Sequence, residues 1–336
     1  MAGGEGTRLR PVTGSVPKPM APLLGRPMLE HIVRLLKKHG FDDICAALKY
    51  RAEDIERAFG DGAALGVHMQ YRVEREALGT AGGVKNCADF YGGEDFLVIS
   101  GDAACDLDLS RLMREHRRSG AAVTLALHRS REPLSYGLAV TDGEGDVRCF
   151  IEKPQWSRVV TDLVNTGIYI VSPRAMESVP EGQPFDFARE LFPLLLARGE
   201  RLRGVALDGY WCDVGTPLAY YRCCIDALEG RLAVTPGAAF SRAAETETDS
   251  AADKGAESID CACESRAALM GALSEAMLDM GADYSDGIRL AGRGYSLHIA
   301  PLASREAVRV SVRSPDGEFA RALALDAKAV IDALGL

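Results

Sequence analysis

Apolar residues recur with two different periods along the chain. Leu29, Ile32, Val33 and Leu36 fall at i, i+3, i+4 and i+7, the stripe of an amphipathic helix. Lys37, Lys38 and His39 follow where cations suit a helix C-terminus, and Gly40 supplies the stop. Continuous apolar runs at 43–48, 96–100, 123–127, 147–152 and 163–171 predict buried strands, and helical spacing at 107–119 and 187–198 falls between some of them. Strands alternating with helices predict an α/β fold: a mostly parallel, doubly wound, Rossmann-like sheet covered on both faces. Ligands of such sheets bind beyond the C-terminal strand ends.

The pattern breaks at 231–259, where Ala, Ser, Thr, Glu and Asp replace large apolar residues. That composition predicts a linker. Beyond it, Met270, Leu273, Met277 and Met280 fit a helix, 288–290, 296–299 and 308–312 fit short strands, and Phe319, Leu323, Ala327, Val330 and Leu334 fit a last helix. The expected organisation is therefore a domain at 1–230, a linker at 231–259 and a small α+β domain at 260–336.

Composition narrows the function. The chain has 336 residues and a formal net charge of −9. That balance argues against a nucleic-acid or anionic-membrane surface, which wants clustered Lys and Arg. No run approaches the ~20 apolar residues of a membrane span. The first residues lack the apolar core of a secretory signal. Nine cysteines, an odd number, are scattered from Cys45 to Cys263. Reduced thiols and a cytoplasmic location are the expectation.

The strongest local signal is the loop Gly3-Gly4-Glu5-Gly6-Thr7-Arg8-Leu9-Arg10-Pro11. Glycines let backbone N–H groups approach an anion closely, and Arg8 adds a planar multi-donor cation. It is not a Walker A loop, and Leu9 stands where a dinucleotide fingerprint needs glycine. The alternative is a tight turn with a surface Arg. Pro17 and Pro19 stiffen the backbone around Lys18, a second cation. Ser100-Gly101-Asp102 follows an apolar strand, and a carboxylate there suits Mg²⁺. Asp213, in Tyr210–Pro217, is a second carboxylate; Thr216 and Pro217 after it read as a helix N-cap and first position. Asp106 and Asp108 read as helix-start residues. Leu78–Gly83 is a second small-residue loop, against which a flat base can lie or which simply turns into a helix. Glu152-Lys153-Pro154 and Asn165-Thr166-Gly167 adjoin strands and offer groups to sugar hydroxyls, or are ordinary turn chemistry. Cys261 and Cys263 lack the second ligand pair of a zinc site.

Taken in order, these motifs resemble the sugar-1-phosphate nucleotidyltransferase family. The matching stretches are GGEGTRLRP (3–11), PKPM (17–20), GRPMLEHI (25–32), LGTAGG (78–83), SGD (100–102), EKP (152–154), NTGIY (165–169) and WCDVGTP (211–217). They span about two-thirds of the chain. The forms of LGTAGG, NTGIY and WCDVG are most similar to mannose-1-phosphate guanylyltransferases, in particular the bacterial kind fused to a phosphomannomutase-like region. Segments 261–277, 286–290, 294–301 and 307–312 resemble the end of a phosphohexomutase chain. The phosphoserine and metal loops of that enzyme have no counterpart, and 301–306 departs from its phosphate loop, so mutase activity is not expected.

The resemblance implies the reaction NTP + sugar 1-phosphate → NDP-sugar + pyrophosphate, with GTP favoured and GDP-mannose as product. It implies Asp102 and Asp213 as ligands of Mg²⁺, and Arg8 and Lys18 as catalytic cations. Gly3, Gly4, Gly6, Thr7, Gly79 and Thr80 are implied to face the nucleotide; Gly137, Glu152, Lys153 and Asn165 are implied to face the sugar phosphate. A uridylyl-, adenylyl- or thymidylyltransferase acting on a hexose or heptose phosphate is the alternative. Another is a catalytically weak nucleotide-sugar-binding regulatory protein; a dinucleotide-dependent oxidoreductase fails at Leu9. No nucleic-acid or membrane partner is expected, and a homo-oligomer is left open. Members of the family carry an apolar strand ahead of the glycine loop, so Met1 is expected to be an internal methionine.

Overall fold

The computed structural model describes residues 1–9, 16–130, 132–235, 237, 256–263, 265–277, 283, 287–292, 295–302 and 306–334. Arg10 and Pro11 of the glycine-rich loop, Met280 and residues 303–305 of the 301–306 loop lie outside them.

Two compact units form. One holds Met1–Glu5 and Ile32–Asp213, the other Gly6–His31 and Val214–Leu336. The boundary expected near 230 is therefore not where the chain divides, because 6–31 groups with the C-terminal part. The reason is local bonding: the Tyr220 hydroxyl donates to the Pro22 carbonyl, and the Gly237 amide donates to Leu24 O at 2.7 Å.

The first unit carries ten strands among the described residues: β1 (Asp43–Leu48), β2 (His68–Val73), β3 (Phe96–Val98), β4 (Ala103–Cys105), β5 (Val123–Arg129), β6 (Leu138–Thr141), β7 (Val147–Ile151), β8 (Leu163–Val171), β9 (Leu202–Ala206) and β10 (Trp211–Asp213). β1 and β2 pair in parallel. A six-stranded sheet runs β9-β5-β8-β6-β7, with β3 also on β8. β9 is parallel to β5, whereas β8 is antiparallel to β3, β5 and β6. The fold is α/β as expected, and its sheet is mixed. The backbone of Met1 and Ala2 is bonded on both sides: Ala2 N donates to Ala47 O (2.9 Å), and Gly101 N donates to Met1 O (2.8 Å). The Met1 ammonium, partly buried, donates to Ile99 O at 2.8 Å.

The apolar runs are continuous because both sheet faces are covered. Val123, Leu125 and Leu127 of β5 pack with Tyr169, Val171, Phe187 and Phe192 on one face. On the other, Ala126, Ile168 and Ile170 pack with Ile32, Leu35 and Leu36 of α1 (Met28–Lys38) and with Leu109 and Leu112 of α3 (Leu109–Ser119). Alternate residues of one strand serve opposite cores, as the two-residue period requires. Each buried Leu contributes roughly 1.5–3 kcal/mol. Between them in the chain lies α2 (Gly79–Lys85). Asp108 caps α3 by accepting from Arg111 N at 2.9 Å, and Gly120, at φ +61°, ends it. The expected helix at 187–198 is a wide turn, Phe187–Leu191, running into Phe192–Ala197.

The second unit contains α4 (Pro217–Leu228), α5 (Arg266–Met277), α6 (Gly317–Leu334) and an antiparallel sheet ordered β11-β14-β13-β12. Its strands are β11 (Ala256–Ala262), β12 (Ile288–Gly292), β13 (Tyr295–Pro301) and β14 (Ala307–Arg313). β11 begins inside the stretch expected to be linker: Ile259 packs on the core and the strand pairs with β14 throughout. One sheet face, with Leu297, Ile299, Val308, Val310 and Val312, packs on Leu269, Leu273, Phe319, Leu323 and Ala327, together with Tyr221 and Ile225 of α4. Thr216 caps α4 through Ala219 N, with Pro217 at its first position. Among the described residues no helix is long and apolar enough to cross a membrane.

Candidate active site

In the first unit, one candidate carboxylate lies on a short two-stranded ladder and the other in the turn that leads into it. β10 pairs antiparallel with β4, which places Asp213 opposite Ala103, the residue after Asp102. Asp102 sits in the turn between β3 and β4, where Ser100 Oγ donates to its Oδ1 at 2.6 Å. Two half-buried carboxylates, one in a turn and one on the adjoining ladder, are a donor set that suits Mg²⁺ when substrate phosphates and water complete its octahedron. Among the described residues no cluster of three or more acidic, His or Cys groups forms a self-sufficient metal cage.

The expected sugar residues also come together. Glu152 Oε2 lies 2.7 Å from where a β-carbon on Gly137 would stand, and Phe150 Cζ 2.6 Å from it. A side chain there would have to displace both. Asn165 N donates to Gly137 O at 2.8 Å. The Asn165 side chain is held at both ends, its Nδ2 donating to Tyr169 Oη at 2.9 Å and its Oδ1 accepting from Gly167 N at 3.1 Å. A register shift in β8 between Asn165 and Tyr169 makes this possible, because the bulge at Thr166 and Gly167 re-aims Asn165. Lys153 has φ +41°, a left-handed conformation that costs a non-glycine residue about 1–3 kcal/mol. Such strain clusters at functional turns.

These two groups are linked by contacts. Gly167 approaches Ser100, the donor to Asp102. Trp211, two residues before Asp213, donates from Nε1 to Thr166 O at 3.1 Å and packs edge-on against Tyr136 at a centroid distance of 5.0 Å. Burial pushes the Tyr136 phenol up to about 12, helped by the nearby charges of Cys212 and Asp213.

The loop Leu78–Gly83 has a structural reason for its glycines. A β-carbon on Gly79 would stand 2.6 Å from Phe185 O, and one on Gly82 2.7 Å from Gln183 O. Ala81 N and Gly82 N both donate to Phe185 O. The Thr80 hydroxyl donates to Asp186 Oδ2 (2.8 Å) and accepts from Phe187 N (2.9 Å). Backbone packing thus occupies the side of this loop that small residues open, and what it can offer a base is the exposed backbone of Gly79 and Thr80. Glu74 shapes the same loop without any marking spacing in the sequence: Leu78 N donates to its Oε2 at 3.2 Å, and burial raises its pKa. Asp186 was likewise unmarked by spacing, whereas Tyr169 closes the NTGIY stretch.

Gly3 packs against Lys49 at the end of β1, while Gly4 is exposed. The remaining candidates belong to the second unit. Thr7–Leu9 forms a single 3-10 turn closed by Leu9 N donating to Gly6 O at 2.9 Å. Leu9 is its buried anchor and Arg8 is exposed. Gly6, at φ +62°, lies against Lys18, whose β-carbon is 2.5 Å from an ideal β-carbon at Gly6. Lys18 is buried, in a turn introduced by Pro17. The loop and the second cation are therefore neighbours.

Comparison with known proteins covers the same residues. The nucleotidyl transferase family model matches residues 1–229. UTP--glucose-1-phosphate uridylyltransferase of Synechocystis is 38% identical over 235 residues, 66% of this chain and 61% of that protein. Mannose-1-phosphate guanylyltransferase of Mycobacterium tuberculosis is 36% identical over 253 residues, 75% of this chain and 70% of that protein. The match to the first relative thus spans about three-fifths of its length. Among solved structures, HddC from Yersinia pseudotuberculosis is similar with a TM-score of 0.58 and 28% identity, over 66% of this chain and 95% of that one. A putative glucose-1-phosphate thymidylyltransferase from Bacillus anthracis, in complex with a sucrose, is similar with a TM-score of 0.62 and 27% identity, over 71% of this chain and 96% of that one.

Proposed function

The chain belongs to the nucleotidyl transferase family, and from that premise we propose that it joins a nucleoside triphosphate to a sugar 1-phosphate, releasing pyrophosphate. The observation that carries the reading is the contact chain from Asp102 through Ser100, Gly167 and Asn165 to Gly137 and Glu152, with Asp213 beside Ala103. That chain supports reading Asp102 and Asp213 as the metal-holding acids and Gly137, Glu152 and Asn165 as the groups that receive the sugar.

The nucleophile is a phosphate oxygen of the sugar phosphate, mostly ionised at pH 7 because its second pKa is about 6. No general base is required. The new bond forms between that oxygen and the α-phosphorus, and the bond from the α-phosphorus to the bridging oxygen breaks. The departing electron pair leaves with pyrophosphate. What the protein supplies is alignment and neutralisation of charge. Asp102 and Asp213 would hold Mg²⁺, which supplies charge neutralisation between the reacting phosphates. Arg8 and Lys18 carry the positive charge for the triphosphate, and the backbone at Gly3, Gly4, Gly6 and Thr7 receives its oxygens. Glu152 and Asn165 position the sugar, with Lys153 for its phosphate.

GTP and mannose 1-phosphate are the favoured pair, supported by the guanylyltransferase of M. tuberculosis and by HddC, which is also solved complexed with GMP-PN. UTP with glucose 1-phosphate is the second reading, favoured by the Synechocystis relative. Pyrophosphate release with GTP, UTP, ATP and dTTP, each paired with mannose and glucose 1-phosphates, tests both. GTP with mannose 1-phosphate is expected to be fastest. UTP with glucose 1-phosphate fastest moves the assignment to the second reading, and no pyrophosphate with any pair overturns the reaction.

A further inference from the structure

β1 and β2 end side by side. Leu48 and Val73 are paired in register, and Glu74 N donates to Leu48 O at 2.8 Å. Lys49 and Glu74 therefore leave adjacent strand ends, the place where sheets of this kind receive ligands. The two loops read above as facing the nucleotide both reach this point. On one side, a β-carbon on Gly3 would stand 3.3 Å from Lys49 N and 3.4 Å from Lys49 Cβ. On the other, Leu78 N donates to Glu74 Oε2 at 3.2 Å, and a β-carbon on Gly83 would run into Glu74 Oε1.

An open groove of about 600 Å³ lies at these strand ends, lined by Val73, Lys49, Arg51, Glu53, Asp54 and Glu56. That volume is within the range of small-molecule sites. Two of its groups are uncommitted. Val73 is 50% exposed at the end of its strand. Lys49 is exposed, and among the described residues its ammonium forms no hydrogen bond or salt bridge. Arg51, by contrast, is tied to Asp54 at 2.5 Å. Carboxylates outnumber cations around the groove, which disfavours a phosphate there. An apolar seat with one spare cation and several acceptors suits a flat, neutral ring with a polar edge.

We propose that this groove seats the base of the nucleotide and that Lys49 selects its chemistry, by donating to a keto oxygen on the ring. The assignment rests on the nucleotidyl-transfer reading above and narrows its substrate to triphosphates of keto bases. Guanine turns two acceptors, O6 and N7, towards a lysine, whereas adenine puts an amino donor where O6 stands. Uracil and cytosine differ in the same sense, a ring oxygen acceptor against an amino donor. Adenine or cytosine in the groove therefore sets a donor against the ammonium. Glu53 and Glu56 are acceptors on the same groove for the ring N–H and amino donors that guanine also carries. Val73 gives the ring an apolar face to lie on.

The test measures dissociation constants for GTP, ATP, UTP and CTP, each with Mg²⁺, on the full chain and on Lys49→Met, Lys49→Arg and Lys38→Met. Lys38 is an exposed cation in the last turn of α1 and controls for the change in net charge. The parent is expected to bind GTP more tightly than ATP. Lys49→Met is expected to weaken GTP by roughly tenfold, the scale of losing a hydrogen bond to a charged group, and ATP by about twofold or less. The KM for mannose 1-phosphate should not move. Lys49→Arg is expected to keep the preference, and Lys38→Met to match the parent. Where UTP is the nucleotide bound, the same loss is expected for UTP against CTP. A Lys49→Met variant that binds the preferred nucleotide as the parent does overturns the proposal. Equal losses for keto and amino bases place Lys49 on the phosphates and overturn the base assignment. A parent that binds none of the four overturns the nucleotidyl-transfer reading, and the assignment with it.

Discussion

The Glu152 carboxylate stands 2.7 Å from the point where any side chain on Gly137 would have to begin. The glycine is what allows Glu152 to lie flat against the turn into β6, with Asn165 bonded to the same turn. Gly137→Ala must push out Glu152 and the Phe150 ring together. Overpacking of this kind costs about 1–3 kcal/mol. We expect a lower melting temperature and a KM for the sugar phosphate raised about tenfold or more, with the KM for the nucleotide little changed. Steady-state kinetics with each substrate varied in turn measure the split; equal changes in both constants would count against a sugar role for this pair.

Asn165 is aimed by a phenol. Tyr169 is buried and its hydroxyl accepts from Asn165 Nδ2, while burial pushes that hydroxyl far above its ordinary range. Tyr169→Phe leaves the amide without this acceptor, at a cost of about 1–2 kcal/mol. We expect a matching drop in unfolding free energy, and a fall in turnover larger than the fall in nucleotide affinity. Unchanged turnover would show that Asn165 needs no such aiming.

A separate prediction concerns the second unit. Asp326 of α6 is half-buried, its charge is felt by Tyr220 and Tyr221 of α4, and burial raises its pKa to about 6. An unfolded Asp titrates near 3.9. Below that value both states are protonated and the group costs nothing. As pH rises through 4 to 6 the unfolded state ionises first, so stability is lost, and the full cost is present above about 6. Asp326→Asn is therefore expected to stabilise the chain by up to about 3 kcal/mol at pH 7.5, two pKa units at about 1.4 kcal/mol each. The gain should shrink towards zero at pH 4. Urea unfolding of both proteins at the two pH values checks the sign; a gain that does not depend on pH would contradict it.

Much of this was legible in the sequence where a single residue's own chemistry decides the outcome. Asp108 and Gly120 cap α3, Thr216 and Pro217 start α4, and the run at the start of β5 is apolar but for Thr124 because both its faces are covered. Partners were not legible. Periodicity marks β8 as a strand but carries no information on its antiparallel pairing with three others. Spacing in Leu78–Gly83 marks small residues, whereas the reason for Gly79 and Gly82 lies in Phe185 and Gln183, far along the chain. Residues 6–31 look continuous in pattern with residues 32–213, and bonds such as Tyr220 to Pro22 and Gly237 to Leu24 show their allegiance to the C-terminal part. The candidate site divides the same way: the acids at 102, 152 and 213 were visible as residue types, and Ser100, Tyr169 and Trp211 lie inside the SGD, NTGIY and WCDVGTP stretches, but which atoms those three bond to hold the site together is visible only in the structure.

The central claim is that the acid on β10 serves the reacting phosphates rather than the β4–β10 ladder. Pyrophosphate release by Asp213→Asn, against the parent at saturating Mg²⁺, GTP and mannose 1-phosphate, tests it most directly. Circular dichroism and melting temperature should match the parent, because Asn preserves the shape and the strand pairing. Turnover should fall by roughly a hundredfold or more, the scale of losing a key electrostatic group at the reaction centre. A variant that releases pyrophosphate at the parent's rate would contradict the account.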